Sequence, residues 1–400
     1  MKRSSLTLLA AALASLALPS ACFGLGIRVV DQDPEATARG DAFTATADNP
    51  SAIYYNPAGI TQLDGQNVSV GAYSIYLQSK FTTPGGDSYR TKDNPQAVPQ
   101  LFYTYALKDT PITLGFGVYA PFGFALQWPD DAPFRQMALQ GGVTYATVNP
   151  VIAWRVTPHI SLAVGVNINY ARADLENGVL GSTFPPNRFT FKGDGYSAGF
   201  NLGVMWQPAK EHSFGISYHS ESTMDLSGQS EVVVSPTYYQ RTHASGDFTF
   251  PQFIQAGYSY RPTPDWNFEA DIDWADWHQL KTLSLAQAGT ATANVPFNWE
   301  SSFMYEFGVT RYLPDGYRAS AGFIYSQSSV PSSSFNPLLP DSNRNIFSAG
   351  FGRTQGRYSW DVAYQFAYGA NRTISNSSFV DDGTYRFISH ALTFSIGYHF

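Results

Sequence analysis

The sequence predicts an all-β fold: a fourteen-stranded antiparallel transmembrane β-barrel with a small N-terminal helical plug, or hatch, in its lumen. Three observations carry that reading. The chain is rich in aromatics and poor in charge. Apolar residues alternate with small or polar ones in segment after segment. Short turns alternate with long loops.

Composition comes first. The 400 residues include 29 Phe, 25 Tyr and 8 Trp, and only 14% are charged, against ~25% in an average globular chain. Mean hydropathy is nonetheless slightly negative, which a bundle of membrane helices would not be. A helical membrane protein, a disordered chain and an ordinary soluble enzyme are all disfavoured. The net charge is −7, and phosphate binding needs a basic surface, so no nucleic-acid partner is expected.

Residues 1–24 read as a signal peptide. Lys2 and Arg3 precede an apolar run from Leu6 to Leu18, too short to span a bilayer, and small residues follow. Cleavage is expected after Gly24. Cys22 opens a lipoprotein alternative, which Pro19 suits poorly because a Leu is wanted there. No disulfide framework is expected from a chain with 1 Cys.

Alternation dominates the rest. Ile160, Leu162, Val164, Val166, Ile168 and Tyr170 share one face against Ser161, Ala163, Gly165, Asn167 and Asn169. Trp266, Phe268, Ala270, Ile272 and Trp274 repeat the pattern against Asn267, Glu269, Asp271 and Asp273. Period 2 places each set on one side of a strand. Trp154, Trp206, Trp266 and Tyr317 stand beside short turns, as in an interfacial aromatic girdle. Short turns fall near 108–110, 157–159, 208–211, 262–265, 314–316 and 355–356. Long loops are expected around 82–97, 121–140, 176–188, 228–245, 281–297, 331–341 and 370–385. Six short turns and seven long loops join fourteen strands, the outer-membrane barrel layout. A secreted soluble β-protein is the other architecture with such alternation.

The last strand alternates to the final residue: Leu392, Phe394, Ile396, Tyr398 and Phe400. It resembles the C-terminal signature by which barrel-assembly machinery recognises bacterial outer-membrane proteins. Three divisions follow: signal peptide 1–24, plug segment 25–66 and barrel 67–400. In the plug, Asp33-Pro34 and Asn49-Pro50 both look like helix starts, and Asn56-Pro57-Ala58-Gly59 reads as a turn. A fourteen-stranded lumen is too wide for its own side chains to fill, so a compact segment has a place there.

A known family enters on particular residues. Ala38-Arg39-Gly40-Asp41-Ala42-Phe43, then Ala47 to Ile60 with the Asn56-Pro57-Ala58 triplet, resemble the plug of the outer-membrane long-chain fatty-acid and hydrocarbon transporters (FadL-like). Gly117 to Gly123, Trp128, Arg135 and Asn149-Pro150 match as well. The resemblance implies capture of hydrophobic ligands outside, a lumen pocket, and lateral exit through a kink in the third strand. It implies a passive transporter in the outer membrane and a monomer; no cofactor is expected, since no metal or nucleotide motif is present. Long-chain fatty acids are the expected substrate. An aromatic-hydrocarbon transporter and a polar-solute porin are the alternatives.

The residues give their own candidates. Phe102, Met205, Met304, Ile324 and Ile346 put apolar side chains on the inward parity, where a polar-solute porin would not. Ligand path and plug packing both explain them. Gly115 and Gly117 stand inside the third strand, where glycine marks a bend or bulge, the feature a side opening needs. Gly195-Tyr196-Ser197-Ala198-Gly199 matches a hydrolase nucleophile elbow, but strand alternation runs through it, so no enzyme is expected. No metal or nucleotide motif is present. Asp130-Asp131 and Asp381-Asp382 read as loop charge, with Ca²⁺ or lipopolysaccharide cations as the other reading. Arg155 and Arg318 face inward by parity. Three readings stay open for them: a latch onto a plug acid, a site for a substrate carboxylate, and pairing with lumen acids such as Glu306 or Asp271.

Overall fold

The computed structural model describes residues 26–287, 293–375 and 382–400. The expected signal peptide lies outside them, as does Asp381. The described residues form a fourteen-stranded closed antiparallel barrel. Its first strands are β1 (Gln66–Thr82), β2 (Gln96–Ala106) and β3, which runs Ile112–Tyr119 and resumes at Gly123–Gln127. Next come β4 (Gln140–Thr157), β5 (Ile160–Asn177) and β6 (Arg188–Ala209). Strand β7 is broken into His212–His219 and Ser222–Ser235, and β8 into Tyr238–Phe250 and Phe253–Thr263. Then follow β9 (Trp266–Ala275), β10 (Ser302–Tyr312), β11 (Tyr317–Ser326) and β12 (Arg344–Gln355). Strands β13 (Tyr358–Gly369) and β14 (Gly383–His399) complete the wall. Strand β14 pairs back onto β1 from Asn67↔His399 to Thr82↔Thr384. That pairing joins the last strand to the first and closes the wall on itself, as a sheet set in lipid requires.

The sidedness is inverted relative to a water-soluble protein. Val166, Ile168 and Ile396 are 50%, 53% and 62% exposed, while Asn167 and Asn169 are buried. The alternation seen in the sequence therefore turns its apolar face outward.

Several expected loops are partly strand: 82–97 holds Ser88–Arg90, 121–140 holds Gly123–Gln127 and 370–385 holds Arg372–Ile374. Residues 228–245 form the end of a hairpin in which Gln229 pairs with His243 and Val232 with Gln240. Only the turn between Ser235 and Tyr238 is left as connection. A hairpin standing beyond the lipid needs no apolar face, so its composition resembles a loop. Within 281–297, Thr282–Gln287 and Ala293–Pro296 pair with each other, and the first also pairs with Ala244 and Ser245 of β8.

The segment before β1 carries α1 (Pro34–Ala38), α2 (Ala52–Tyr55) and a 3₁₀ turn (Pro57–Gln62). Asp33 caps α1, its Oδ1 accepting from the N–H groups of Glu35 at 2.9 Å and Ala36 at 3.2 Å, as the Asp-Pro start predicts. Helix α2 begins later than Asn49-Pro50 suggests. Asn49 Oδ1 instead accepts from the N–H and hydroxyl of Ser51 at 2.9 and 2.6 Å, a turn of its own. The small-residue block after α1 stops being helical at Gly40, whose φ is +65°. A Cβ there would also stand 2.8 Å from the Phe323 backbone nitrogen, so only glycine fits.

Candidate functional site

The third strand is interrupted where the N-terminal segment meets it. Strand β2 pairs with β3 only as far as Leu101↔Val118. Beyond it the chain turns inward, and residues 27–29 pair with 121–123 instead. Val29 N–H donates to the Pro121 carbonyl at 2.8 Å, and Gly123 N–H donates to the Ile27 carbonyl at 2.9 Å. Gln32 completes the join, donating to the Ala120 carbonyl at 3.0 Å. A gap is left in the wall between residues 96–99 of β2 and 123–126 of β3.

Two cavities converge on this gap. The outer one, about 910 Å³, lies among the long loops, and Phe134, Phe189, Phe191, Phe248, Phe250 and Phe297 give it an apolar lining. The lumen one, about 460 Å³, is bounded by the N-terminal segment from Gly26 to Asp31 and by both edges of the gap. Phe124, Val143, Leu338 and Leu339 line both cavities and so divide them. Leu338 and Leu339 reach the divide from the loop joining β11 to β12.

The five apolar inner-face residues separate into groups. Met304 and Ile346 line the lumen cavity. Phe102 stacks on Tyr119 at 5.9 Å, and Tyr119 meets Tyr54 of α2 edge-on at 5.2 Å. Met205 and Ile324 are buried, and neither lines one of the two cavities. Gly115 and Gly117 lie in the regular part of β3, ahead of the interruption at 120–122. A Cβ on Gly117 would stand 2.9 Å from Ile53 Cγ2, and one on Gly115 3.0 Å from Ile53 and Ile60. These two glycines make room for the N-terminal segment.

The Asn56-Pro57-Ala58 triplet docks on β6. Asn56 Nδ2 donates to the Thr44 carbonyl at 2.9 Å and to the Val204 carbonyl at 3.0 Å, while its Oδ1 accepts from Ala58 N–H at 3.2 Å. Pro57 opens the 3₁₀ turn, where its missing N–H costs nothing. Beneath them is Gly203, whose Cβ would stand 2.6 Å from Asn56 Oδ1.

Strand β9 holds the opposite side. Its inner face presents four polar side chains in succession, and each binds the N-terminal segment. Asn267 Nδ2 donates to Thr46 Oγ1 at 2.8 Å. Glu269 Oε1 accepts from the N–H groups of Ala45 at 2.7 Å and Thr46 at 3.1 Å, while its Oε2 meets Arg39 at 3.2 Å. Asp271 Oδ2 accepts from Phe43 N–H at 3.0 Å and Thr44 N–H at 2.8 Å. Asp273 pairs with Arg28, whose guanidinium lies 3.6 Å from the Phe253 ring centre. The alternation put these acids on one face of a strand but did not assign them to the N-terminal segment. The available signal was three carboxylates at alternate positions on the inner face of one strand, a costly set unless something accepts them.

The two candidate arginines sit at the short-turn end. Arg318 Nη2 lies 3.3 Å from Glu35 Oε2 and 2.5 Å from Asp361 Oδ2. Its wall partner is thus Asp361, not Glu306 or Asp271. Arg155 donates to the Thr61 carbonyl, at the end of the 3₁₀ turn. Neither lines one of the two cavities. Arg28 and Arg344 do line the lumen cavity, but Asp273 holds the first and Asp341, at 2.6 Å, the second. A further ion pair, Arg261–Asp48 at 2.7 Å, ties the wall to the segment. Burial, then the neighbouring Glu35 charge, pushes the Asp33 carboxyl up to about 7. Asp31 and Asp41 shift the same way, with burial the largest cause in each.

Ser197 lies inside β6, where Asn169 Nδ2 approaches its hydroxyl at 3.5 Å. A nucleophile elbow needs a strand, a sharp turn and a helix, and the backbone here is continuous strand.

Comparison with known proteins agrees along the chain. A family described as "Outer membrane protein transport protein (OMPP1/FadL/TodX)" matches residues 17–400. A long-chain fatty acid transport protein of Salmonella typhi is 22% identical, with 89% of this chain and 88% of that protein covered. The protein of that name from Escherichia coli K12 is 23% identical, with 89% of each covered. Among solved structures, a Pseudomonas aeruginosa FadL homologue superposes with a TM-score of 0.80 at 18% identity, covering 95% of this chain and 100% of that one. The Ralstonia pickettii toluene transporter TbuX gives 0.73 at 17%, covering 94% and 99%.

Proposed function

The chain belongs to the outer membrane protein transport protein (OMPP1/FadL/TodX) family, and on that premise we propose that it carries long-chain fatty acids passively across the outer membrane. The observation that carries the reading is the pair of adjoining cavities. An aromatic, water-accessible outer cavity meets a lumen cavity that opens at a gap in the barrel wall. An acyl chain entering the first passes the Phe124, Val143, Leu338 and Leu339 divide. It then leaves sideways between β2 and β3 into the lipid. Removal of the acyl chain from water, at about 25 cal/mol per Å² of apolar surface, drives the overall transfer into lipid, so no energy source is needed. The names of the curated relatives support fatty acids; the toluene transporter keeps aromatic hydrocarbons as the second reading.

In this proposal residues 26–65 are the plug. They close the lumen to polar solutes, and Met304 and Ile346 contact the ligand. The single closed barrel functions as a monomer, its last strand serves as the assembly signal, and its loop charges contact lipopolysaccharide. The chain catalyses no reaction on what it carries. The test is reconstitution of the purified protein in vesicles. Acceleration of oleate entry over protein-free vesicles, with only small ion conductance, is the expected result. High conductance with no oleate entry would instead establish a polar porin.

A further inference from the structure

The lumen cavity does not end at the gap. Its lining continues onto the outer wall, through Gly142, Thr144, Arg172 and Asp174. These residues are outward-facing, as strand register shows. One row runs Gly123–Thr144–Arg172–Asp194 across β3, β4, β5 and β6. The next runs Ala125–Gly142–Asp174–Lys192. Beside the gap both rows are small residues, two strands wide. A Cβ on Gly142 would meet only backbone oxygens, at 3.7 and 3.9 Å, so no side chain covers this strip. It forms a shallow furrow on the outside of the barrel, leading from the gap to Arg172.

Arg172 ends the furrow as a cation without a partner. It is exposed, and among the described residues it makes no ion pair. Asp174 is held by Lys192 at 3.1 Å. Asp194 is its cross-strand neighbour but makes no ion pair with it, and only Arg172 of the two lines the cavity. Arg172 is therefore the charged member of its row that borders the cavity. Strands are spaced ~4.8 Å apart, so it stands about two spacings from the β3 edge, with only Thr144 between. The depth also suits an amphiphile's head. One row closer to the lipid, Tyr170 and Tyr196 pack with ring centres 5.1 Å apart, as an interfacial girdle does. Arg172 lies just beyond that girdle, at headgroup level.

We infer that Arg172, with the Thr144 hydroxyl, forms an anion site on the outer wall at the mouth of the gap, binding the head of a single-chain anionic amphiphile whose tail lies in the furrow. The inference rests on the transport reading above. The carboxylate of a departing fatty acid and the phosphate of an outer-leaflet lipid share this chemistry. The site would hold the head outside while the tail clears the gap.

The test uses the full-length barrel in vesicles of phosphatidylcholine alone, or of phosphatidylcholine with phosphatidylglycerol. Entry of oleate is compared with entry of oleyl alcohol, which has the same chain and no charge. Arg172→Gln is expected to slow oleate about two- to five-fold, the range of an exposed ion pair, and to leave the alcohol alone. Arg172→Lys should restore most of the oleate rate. Slowing of both substrates, only in vesicles containing phosphatidylglycerol, would assign the site to a lipid headgroup. Wild-type rates for both substrates in both vesicles would overturn the anion site and leave the transport reading intact. Failure of the wild-type barrel to move either substrate would overturn both.

Discussion

Arg318 on the wall and Glu35 on the N-terminal segment lie 3.3 Å apart, and the same guanidinium holds Asp361 of β13 at 2.5 Å. One cation thus serves two carboxylates, one on each body. Removing it leaves both acids buried without a counter-charge, which costs about 3–5 kcal/mol. Arg318→Gln should therefore loosen the segment and raise single-channel conductance. Glu35→Gln removes one acid and should do so less. Both variants should bind oleate as the wild type does, because Arg318 lines neither cavity.

Arg28 and Asp273 allow a cleaner test of coupling. Both side chains are fully buried. Arg28→Met alone strands Asp273, and Asp273→Leu alone strands Arg28. Each single variant should lower the thermal midpoint and expose residues 26–33 to protease. The double variant should recover much of both, since apolar replacement of a buried pair is often neutral.

Gly117 tests what the third-strand glycines do. A Cβ there meets Ile53 at 2.9 Å, with Phe102 and Tyr119 at 3.2 Å. Gly117→Val should misplace α2 and make the barrel leak. Adding Ile53→Ala should reduce the leak. A variant that stays closed but loses oleate entry would assign the glycine to the opening instead.

Leu338 tests the divide between the cavities. Leu338→Trp should slow entry of oleate several-fold while the outer cavity still binds it. Leu338→Ala should speed entry. Quenching of the buried Trp128, Trp277 and Trp299 by a brominated fatty acid reports binding separately from vesicle entry.

The segment's acids make its docking pH-dependent. Asp33 holds its proton up to about 7 when docked, but only to ~3.9 when released. The docked state binds more protons between these values, so docking weakens as pH rises from about 4 to 7. Conductance should therefore be lower at pH 5 than at pH 8, and lower still at pH 4. Asp33→Asn still caps α1 and should flatten part of that slope. Asp31 and Asp41, shifted in the same direction, account for the remainder.

The sequence by itself determined the barrel. Period-2 alternation is a local property, and in Ile160 to Tyr170 it names both the lipid face and the lumen face. Turn spacing then counts the strands. Asn56-Pro57-Ala58 was legible for the same reason: its cap and its proline act within three residues. The hairpin at 228–245 was not legible, because pairing beyond the lipid demands no apolar face. Only the tertiary structure decided the site. Glu269, Asp271 and Asp273 meet partners more than 220 residues away, and the lumen cavity collects residues from Gly26 to Ser389. The break at 120–122 depends on residues 27–29 supplying the hydrogen bonds that β2 does not. Each is a pairing between distant parts of the chain, and pairings of that kind exist only once the barrel has closed around the segment.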